Sequence, residues 1–392
     1  SMNRFLAGAD SIFDYIKATA EPDGDGLCWR TYDYGDQPHY HFNIFNGVGG
    51  IPLFLCEYYK ARENSEALTL AEGAIRWCKS AKPEKDCYER GLQLGRTGVA
   101  YSALVLSEIS PSDMLLSFAE ENGRHLCREA PGPITDFVSG EASNGWFLLK
   151  LWSRTGNQAF LDGAIRCAEW IEGHIVRERG WTFCLAEPVE KGFGENAFTG
   201  LSHGTSGVAV FLAFLYEQTR EERWKKLSLE LFHSLTSTAI EIHGGLNWSV
   251  HLGGTTLPRC QYSHGSAGIG LAYARAATLL QEASLLAVAL RAGEATFHYG
   301  DFRNNPTLCT GVAGSGELMI ELFRQTGDGL WQARAEHFGD MALGYKVTTP
   351  EGDRWPTDTP GLFSPDFTYG ASGTGHFLLG LADPHHHAPP LI

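Results

Sequence analysis

The 392-residue chain lacks any apolar run approaching the ~20 residues that a bilayer span requires, which argues against a membrane-crossing segment. Its opening residues, Ser1-Met2-Asn3-Arg4, carry no apolar stretch of signal length. Its nine cysteines are odd in number and show no framework spacing. The expectation is a reducing, cytoplasmic setting in which most thiols are free. Basic residues are also in deficit: 31 Lys and Arg stand against 46 Asp and Glu, a net charge of −15. Such a surface disfavours nucleic acid and anionic membranes as partners, while tolerating a basic peptide. No long polar tract appears and only 20% of residues are charged, which argues against global disorder. Few stretches read as strands. What is abundant is hydrophobic sequence, at 43%, enough for a sizeable core.

A glycine element recurs along that sequence. G-x-x-G followed at once by an apolar run begins at Gly47, Gly95, Gly140, Gly204, Gly265, Gly311 and Gly370, with Ser143 replacing the second glycine of the third copy. Neighbouring copies are 45 residues apart at the closest (Gly95 to Gly140) and 64 at the widest (Gly140 to Gly204), which is room for two helices and their loops. The runs have helical period: Val208, Phe211, Leu212 and Leu215 fall on one face, as do Ile51, Phe54, Leu55 and Tyr58. Stop signals such as Thr155-Gly156-Asn157 and Thr326-Gly327-Asp328 close several of them. Each unit is therefore expected to be a helical hairpin, and because one hairpin cannot bury its apolar face alone, neighbours must stack. We expect an all-α chain of about fourteen helices, a single domain over 1–392, with seven hairpins closed into an α/α toroid and the glycines at the inner helix starts. The segment from Val347 to Thr368, rich in Pro, Asp and Gly, shows no periodicity and reads as a loop, either a rim over the cavity or a surface excursion.

The glycine elements differ in what flanks them. Asp136 stands four residues before Gly140, His203 immediately before Gly204, His264 immediately before Gly265, and Cys309-Thr310 before Gly311. If the repeats are equivalent in space, one acid, two imidazoles and a thiol converge, which is an acid–base constellation. Each residue also has a structural explanation: Asp136 as a cap, the histidines as packing partners of glycine, Cys309 as a small buried apolar group. The run His385-His386-His387 reads as a weak adventitious metal binder.

The seven hairpins resemble the LanC-like lanthionine cyclases over about Phe5 to Asp383. Gly200-Leu201-Ser202-His203-Gly204-Thr205-Ser206-Gly207 looks like that family's G-L-x-H-G-x-x-G element, and Asp136-Phe137-Val138-Ser139-Gly140 like its D-x-x-x-G element. Arg259-Cys260-Gln261-Tyr262-Ser263-His264-Gly265 aligns with R-x-x-W-C-Y-G, and Leu308-Cys309-Thr310-Gly311 with the C-H-G element. The resemblance implies an α/α toroid that adds a peptide cysteine thiol to dehydroalanine or dehydrobutyrine. It implies catalytic roles for Asp136, His203, Arg259 and His264, and substrate contacts for Tyr262 and Thr310. Members with zinc hold it with two cysteines and a histidine; here those slots carry Ser263, Cys309 and Thr310. Hydroxyls are poor zinc ligands, so no standard metal site is expected and no cofactor is implied, unless Cys260, His264 and Cys309 form a rearranged zinc set. The pattern is similar to the metal-independent cyclase domains of class III lanthipeptide synthetases, although no kinase-like HRD or DFG element is present. The implied partners are a precursor peptide with its leader and kinase-like, lyase or decarboxylase enzymes. Two other readings stay open: a catalytically silent scaffold that presents a precursor peptide to partner enzymes, and a carbohydrate-active toroid using tryptophans such as Trp146, Trp248 and Trp355 as sugar platforms.

Overall fold

The computed structural model describes residues 3–32, 37–81, 90–187, 197–299 and 304–392. Among them are fourteen α-helices, and the only strands are ten short ones paired into two-stranded antiparallel sheets. The chain divides into two compact units: one of residues 1–89, 93–122 and 301–390, the other of 90–92, 123–300 and 391–392.

The first unit holds α1 (Asn3–Thr19), α2 (Ile51–Arg62), α3 (Ser65–Ser80), α4 (Arg96–Ile109), the start of α5 (Asp113–Arg128), and, from the other end of the chain, α12 (Val312–Thr326), α13 (Gly329–Gly344) and α14 (Ala371–Ala382). The second unit holds α6 (Glu141–Thr155), α7 (Gln158–Glu172), α8 (Thr205–Thr219), α9 (Glu222–Ser237), α10 (Ser266–Leu280) and α11 (Ala283–Phe297). In each hairpin the helix that follows a glycine element is buried almost all round, as in α8 from Thr205 to Tyr216, in α10 and in α14. Its partner buries one face only: α9 hides Trp224, Leu227, Leu231, Phe232 and Leu235. A helix apolar on every side must sit inside, whereas an amphipathic one covers it. Inner helices pack on inner helices, α6 on α8 and α8 on α10 in one unit, α12 on α14 and α14 on α2 in the other.

The expected stops are present. Gly156 and Gly327 end α6 and α12 in the left-handed conformation (φ 71° and 70°), and Asn157 and Asp328 then cap α7 and α13 through Ala159 N and Leu330 N. The last inner helix, α14, has no following partner of its own kind; α1 packs against it and completes the seventh hairpin.

The strands answer a pattern that the helical reading left aside. β1 (Glu21–Asp23) and β2 (Gly26–Cys28) follow α1, β7 (Ile240–Ile242) and β8 (Gly245–Asn247) follow α9, and β9 (Val347–Thr349) and β10 (Gly352–Arg354) follow α13. β3 (Thr31–Tyr32) pairs with β4 (Pro38–His39), and β5 (Ile175–Glu178) with β6 (Trp181–Cys184). Arg179-Gly180 and His243-Gly244, all at positive φ, make the tight primed turns that match strand twist. Three of these hairpins end in G-x-x-W: Trp29, Trp248 and Trp355 are fully buried. Trp29 donates its indole N–H to Ile16 O and Trp248 to Leu235 O, each at the end of the preceding helix, and Trp355 donates to Ser11 Oγ. Trp146 is likewise buried, so these side chains are core rather than sugar platforms. The segment 347–368 is not a plain loop: β9 and β10 open it, and Trp355, Thr357, Ser364, Asp366, Phe367 and Thr368 are buried.

Candidate active site

Hydrogen bonds between the loops that precede the inner helices of the second unit bring the sequence-selected residues together. Phe137 N donates to Ser202 O at 3.1 Å, and Ser202 donates its backbone N–H and its hydroxyl to Ser263 O at 3.4 and 2.7 Å. Asp136, His203 and His264 each adjoin one of these linked residues, so loop-to-loop pairing places them side by side. The first unit shows the same device around Cys309, whose N–H donates to Thr368 O, with Tyr369 N donating to Phe45 O and Phe45 N to Gln93 O.

Asp136 is 3% exposed. Its Oδ1 accepts from Val138 N at 3.0 Å and Ser139 N at 2.8 Å, which fixes the turn, while Oδ2 lies 2.8 Å from His203 Nδ1. The loop that carries it is held by Thr135, whose N–H and hydroxyl donate to Ala186 O and Leu185 O. Gly140, not Asp136, occupies the N-cap of α6. The carboxylate therefore stiffens its own loop and orients an imidazole with separate oxygens. With Nδ1–H directed at Asp136, the free basic nitrogen of neutral His203 is Nε2. Burial opposes a charged His203, but the hydrogen bond and the charge of Asp136, with a smaller contribution from Glu187, outweigh it and raise its pKa above the ordinary 6.5. About 40% of the side chain is open to solvent.

His264 is the opposite case. Burial first, then the positive charges of His203, Arg259 and His251, pull its pKa down to about 4. It is a neutral imidazole at physiological pH, able to donate one hydrogen bond and accept another rather than to act as a cationic acid. Its Nδ1 is buried without a hydrogen-bond partner among the described residues. The rings of His203 and His264 are 5.8 Å apart. Phe198 packs between the imidazoles, 5.5 Å from His203, 5.9 Å from His264 and 4.7 Å from His251. Sequence reasoning missed Phe198 and His251, because neither flanks a glycine element; a backbone bridge between the two brings them in. His251 also lines a hollow of ≈ 320 Å³ with Trp181, Thr199, Ser249 and Gly254.

Arg259 is exposed, and its carbonyl accepts from Ser266 N and Asn247 Nδ2. The turn that returns it to α10 requires glycine: Gly265 has φ +107°, and a Cβ there would lie 1.6 Å from Arg259 O. Gly268 is equally constrained, since a Cβ would meet Tyr262 O at 2.0 Å. Tyr262 and Cys260 are buried. Ser263 Oγ donates to Gln261 Oε1 at 3.4 Å, and Thr310 Oγ1, in the other unit, accepts from Asn305 Nδ2 at 3.2 Å. These hydroxyls do not suit zinc, which takes thiolate, imidazole or carboxylate. Of the rearranged set, Cys260 and His264 belong to the second unit and Cys309 to the first.

A model of the lanthionine synthetase C-like proteins matches residues 38–390. The chain belongs to that family. Among solved structures, nisin cyclase superposes with a TM-score of 0.73 at 16% identity, covering 99% of this chain and 96% of that one. An α-1,6-mannanase of Salegentibacter sp. HEL1_6 gives 0.52 at 10% identity, covering 97% and 98%. A sugar epimerase from a ruminal bacterium gives 0.51 at 13%, again covering 97% and 98%. At these identities the likeness is one of fold, and it supports the all-helical hairpin architecture expected from the glycine repeat. Among the described residues, no helix is long and apolar enough to cross a membrane.

Proposed function

We propose that this LanC-like protein is a cyclase that joins a peptide cysteine to a dehydroalanine or dehydrobutyrine of the same peptide, forming a lanthionine or labionin-type thioether without a standard zinc site. The observation that carries the reading is the Asp136–His203 pair, a buried carboxylate 2.8 Å from a half-exposed imidazole of raised pKa, in a chain of this family.

A free cysteine has a pKa near ~8.5, so only a few per cent is thiolate at neutral pH. His203 Nε2 takes the thiol proton as sulfur attacks the β-carbon of the alkene. The S–C bond forms, the π electrons move toward the adjacent amide carbonyl, and an enolate results. The proton held on Nε2 then passes to the α-carbon, so the net change is transfer of one hydrogen from sulfur to carbon. Asp136 holds the tautomer and balances the imidazolium without taking the proton itself. Arg259 and the neutral His264 stabilise charge on the enolate oxygen, and Tyr262 contacts the peptide. The hollow beside His251 receives a side chain next to the reacting residue.

Cyclisation leaves the peptide mass unchanged, so the test counts thiols. A dehydrated, cysteine-containing precursor peptide with its leader is incubated with the protein, then alkylated and weighed. The wild type is expected to remove alkylatable thiols, and His203→Ala to slow that loss by about 10²–10⁴-fold, the usual contribution of a general base. A wild-type protein that binds the peptide in calorimetry and leaves every thiol alkylatable sinks the proposal. The replacement of two ligand slots by Ser263 and Thr310 then favours a silent scaffold serving kinase-like, lyase or decarboxylase partners.

A further inference from the structure

The first unit contains a second constellation, built from residues that do not flank the glycine elements. Glu317 stands six residues after Gly311, and His376 six residues after Gly370, the same slot in two inner helices, α12 and α14. Other repeats fill that slot with Leu53, Tyr101, Trp146, Val210 and Leu271. Both side chains are buried, at 1% and 6% exposure. The third member is His387, from the run that the sequence reads as a weak adventitious metal binder. It is instead 4% exposed, while His385 and His386 face solvent. Its ring lies across α14 at Gly380, where a Cβ would come within 2.7 Å of it.

The three converge. His387 Nε2 lies 2.7 Å from Glu317 Oε2, and His376 Nδ1 lies 3.4 Å from Glu317 Oε1. The imidazole centroids are 4.6 Å apart, and one ligand atom from each residue falls within 4.8 Å of the others. Ligands about 2.0–2.1 Å from a tetrahedral zinc are ~3.3 Å from one another, so side-chain adjustments of about an ångström admit an ion. Burying a carboxylate in a helical core is costly unless it is paired or coordinates a metal. An apolar or aromatic residue serves the same slot in the five other repeats, so packing alone does not call for Glu and His here.

We propose that Glu317, His376 and His387 form a buried binding site for a zinc-class divalent cation, which staples the segment after α14 to α12 and α14. The donor set, two imidazoles and a carboxylate able to offer both oxygens, is closed to solvent and suits a structural ion rather than a catalytic one. The site is independent of the Asp136–His203 pair, which lies in the other unit.

The test uses the full chain purified without metal-affinity steps and stripped with a chelator. Co²⁺ is titrated in and read by visible absorption, then displaced by Zn²⁺. The wild type is expected to take up about one equivalent with the bands of a nitrogen- and oxygen-bound four-coordinate ion, and Zn²⁺ is expected to raise its melting temperature. Glu317→Gln and His387→Gln are expected to lose both effects, whereas the double variant His385→Ala/His386→Ala keeps them. Should the triad variants fail to fold, ring signals of wild-type His376 and His387 in NMR must still shift on Zn²⁺ addition. The proposal is overturned if the wild type takes up no Co²⁺, if the spectrum shows thiolate charge transfer that Cys309→Ser abolishes, if the exposed pair accounts for the binding, or if those ring signals stay unmoved.

Discussion

Asp136→Asn probes the candidate active site with little disturbance of the fold. Oδ1 of Asp136 already accepts two backbone N–H groups, from Val138 and Ser139. An asparagine keeps those bonds only with its carbonyl oxygen in that place, which turns its NH₂ toward His203. His203 Nδ1 must then accept, the proton moves to Nε2, and the nitrogen that faces the peptide stops being a base. The lost charge-assisted hydrogen bond contributes roughly 1.5–3 kcal/mol. His203 is 40% exposed, so solvent screening places it near the lower end, about tenfold in rate. Reversal of the tautomer removes general-base assistance that typically supplies 10²–10⁴-fold. Because loss of the base includes loss of its orienting hydrogen bond, the expected fall in kcat/KM is on the order of 10²–10⁴-fold, about 3–5 kcal/mol, with little change in KM. The urea midpoint should move by less than about 1 kcal/mol equivalent, because no buried donor is orphaned. Alkylation-coupled kinetics on the dehydrated peptide and NMR of the imidazole together decide the matter. Wild-type turnover, or a His203 that keeps its tautomer and its raised pKa in the variant, refutes the reasoning.

Further consequences concern pH and backbone strain. The raised pKa of His203 requires the rate to climb as pH increases through and above the ordinary imidazole value of 6.5, while His264, held at about 4, adds no second limb in that range; an unchanged profile in Asp136→Asn would contradict this. Linkage gives the two histidines different signs in stability. The contribution from His203 is full below 6.5, its value when unfolded, and is lost as pH rises through its higher folded value. That from neutral His264 is present above 6.5 and is lost as pH falls toward about 4. Thermal melts between pH 7 and pH 4 should therefore flatten in His264→Gln. Gly265→Ala forces a Cβ to within 1.6 Å of Arg259 O at φ +107°, and should cost more than about 2 kcal/mol in urea unfolding while lowering turnover by displacing Arg259; an unchanged midpoint would show that the turn relaxes.

The hairpin repeat was legible because glycine at a helix start and an apolar face at helical spacing are local signals. Six of the seven glycines stand at N-caps as read; at the first, a short 3₁₀ turn, Val48–Gly50, intervenes before α2. The Asp136–His203 contact was legible too, because the loops that precede equivalent glycines in stacked repeats become neighbours. Phe198 and His251 were not, since they reach the site through a bridge 53 residues apart in sequence, with no motif to mark it. The G-x-x-W hairpins did carry a signal, repeated three times, but its period differs from that of the glycine element and the helical pattern masks it. The buried place of His387 was hidden by a run of three histidines of which two are exposed, and nothing local distinguishes the one that Gly380 accommodates. The pairing of α1 with α14 had no local signature either, because both helices read as ordinary and only stacking unites them.

That pairing has a kinetic meaning. During synthesis α1 emerges long before α14 and must keep its apolar stripe, Phe5, Ile12, Phe13 and Ile16, from other partners until α14, more than 350 residues later, is made. Every other hairpin closes a loop of a few residues, whereas this one closes nearly the whole chain, and such long-range contacts form slowly. The core of the first unit is thus the last to be sealed, and the interval before α1 docks is when the chain is most exposed to proteases and to association with other copies.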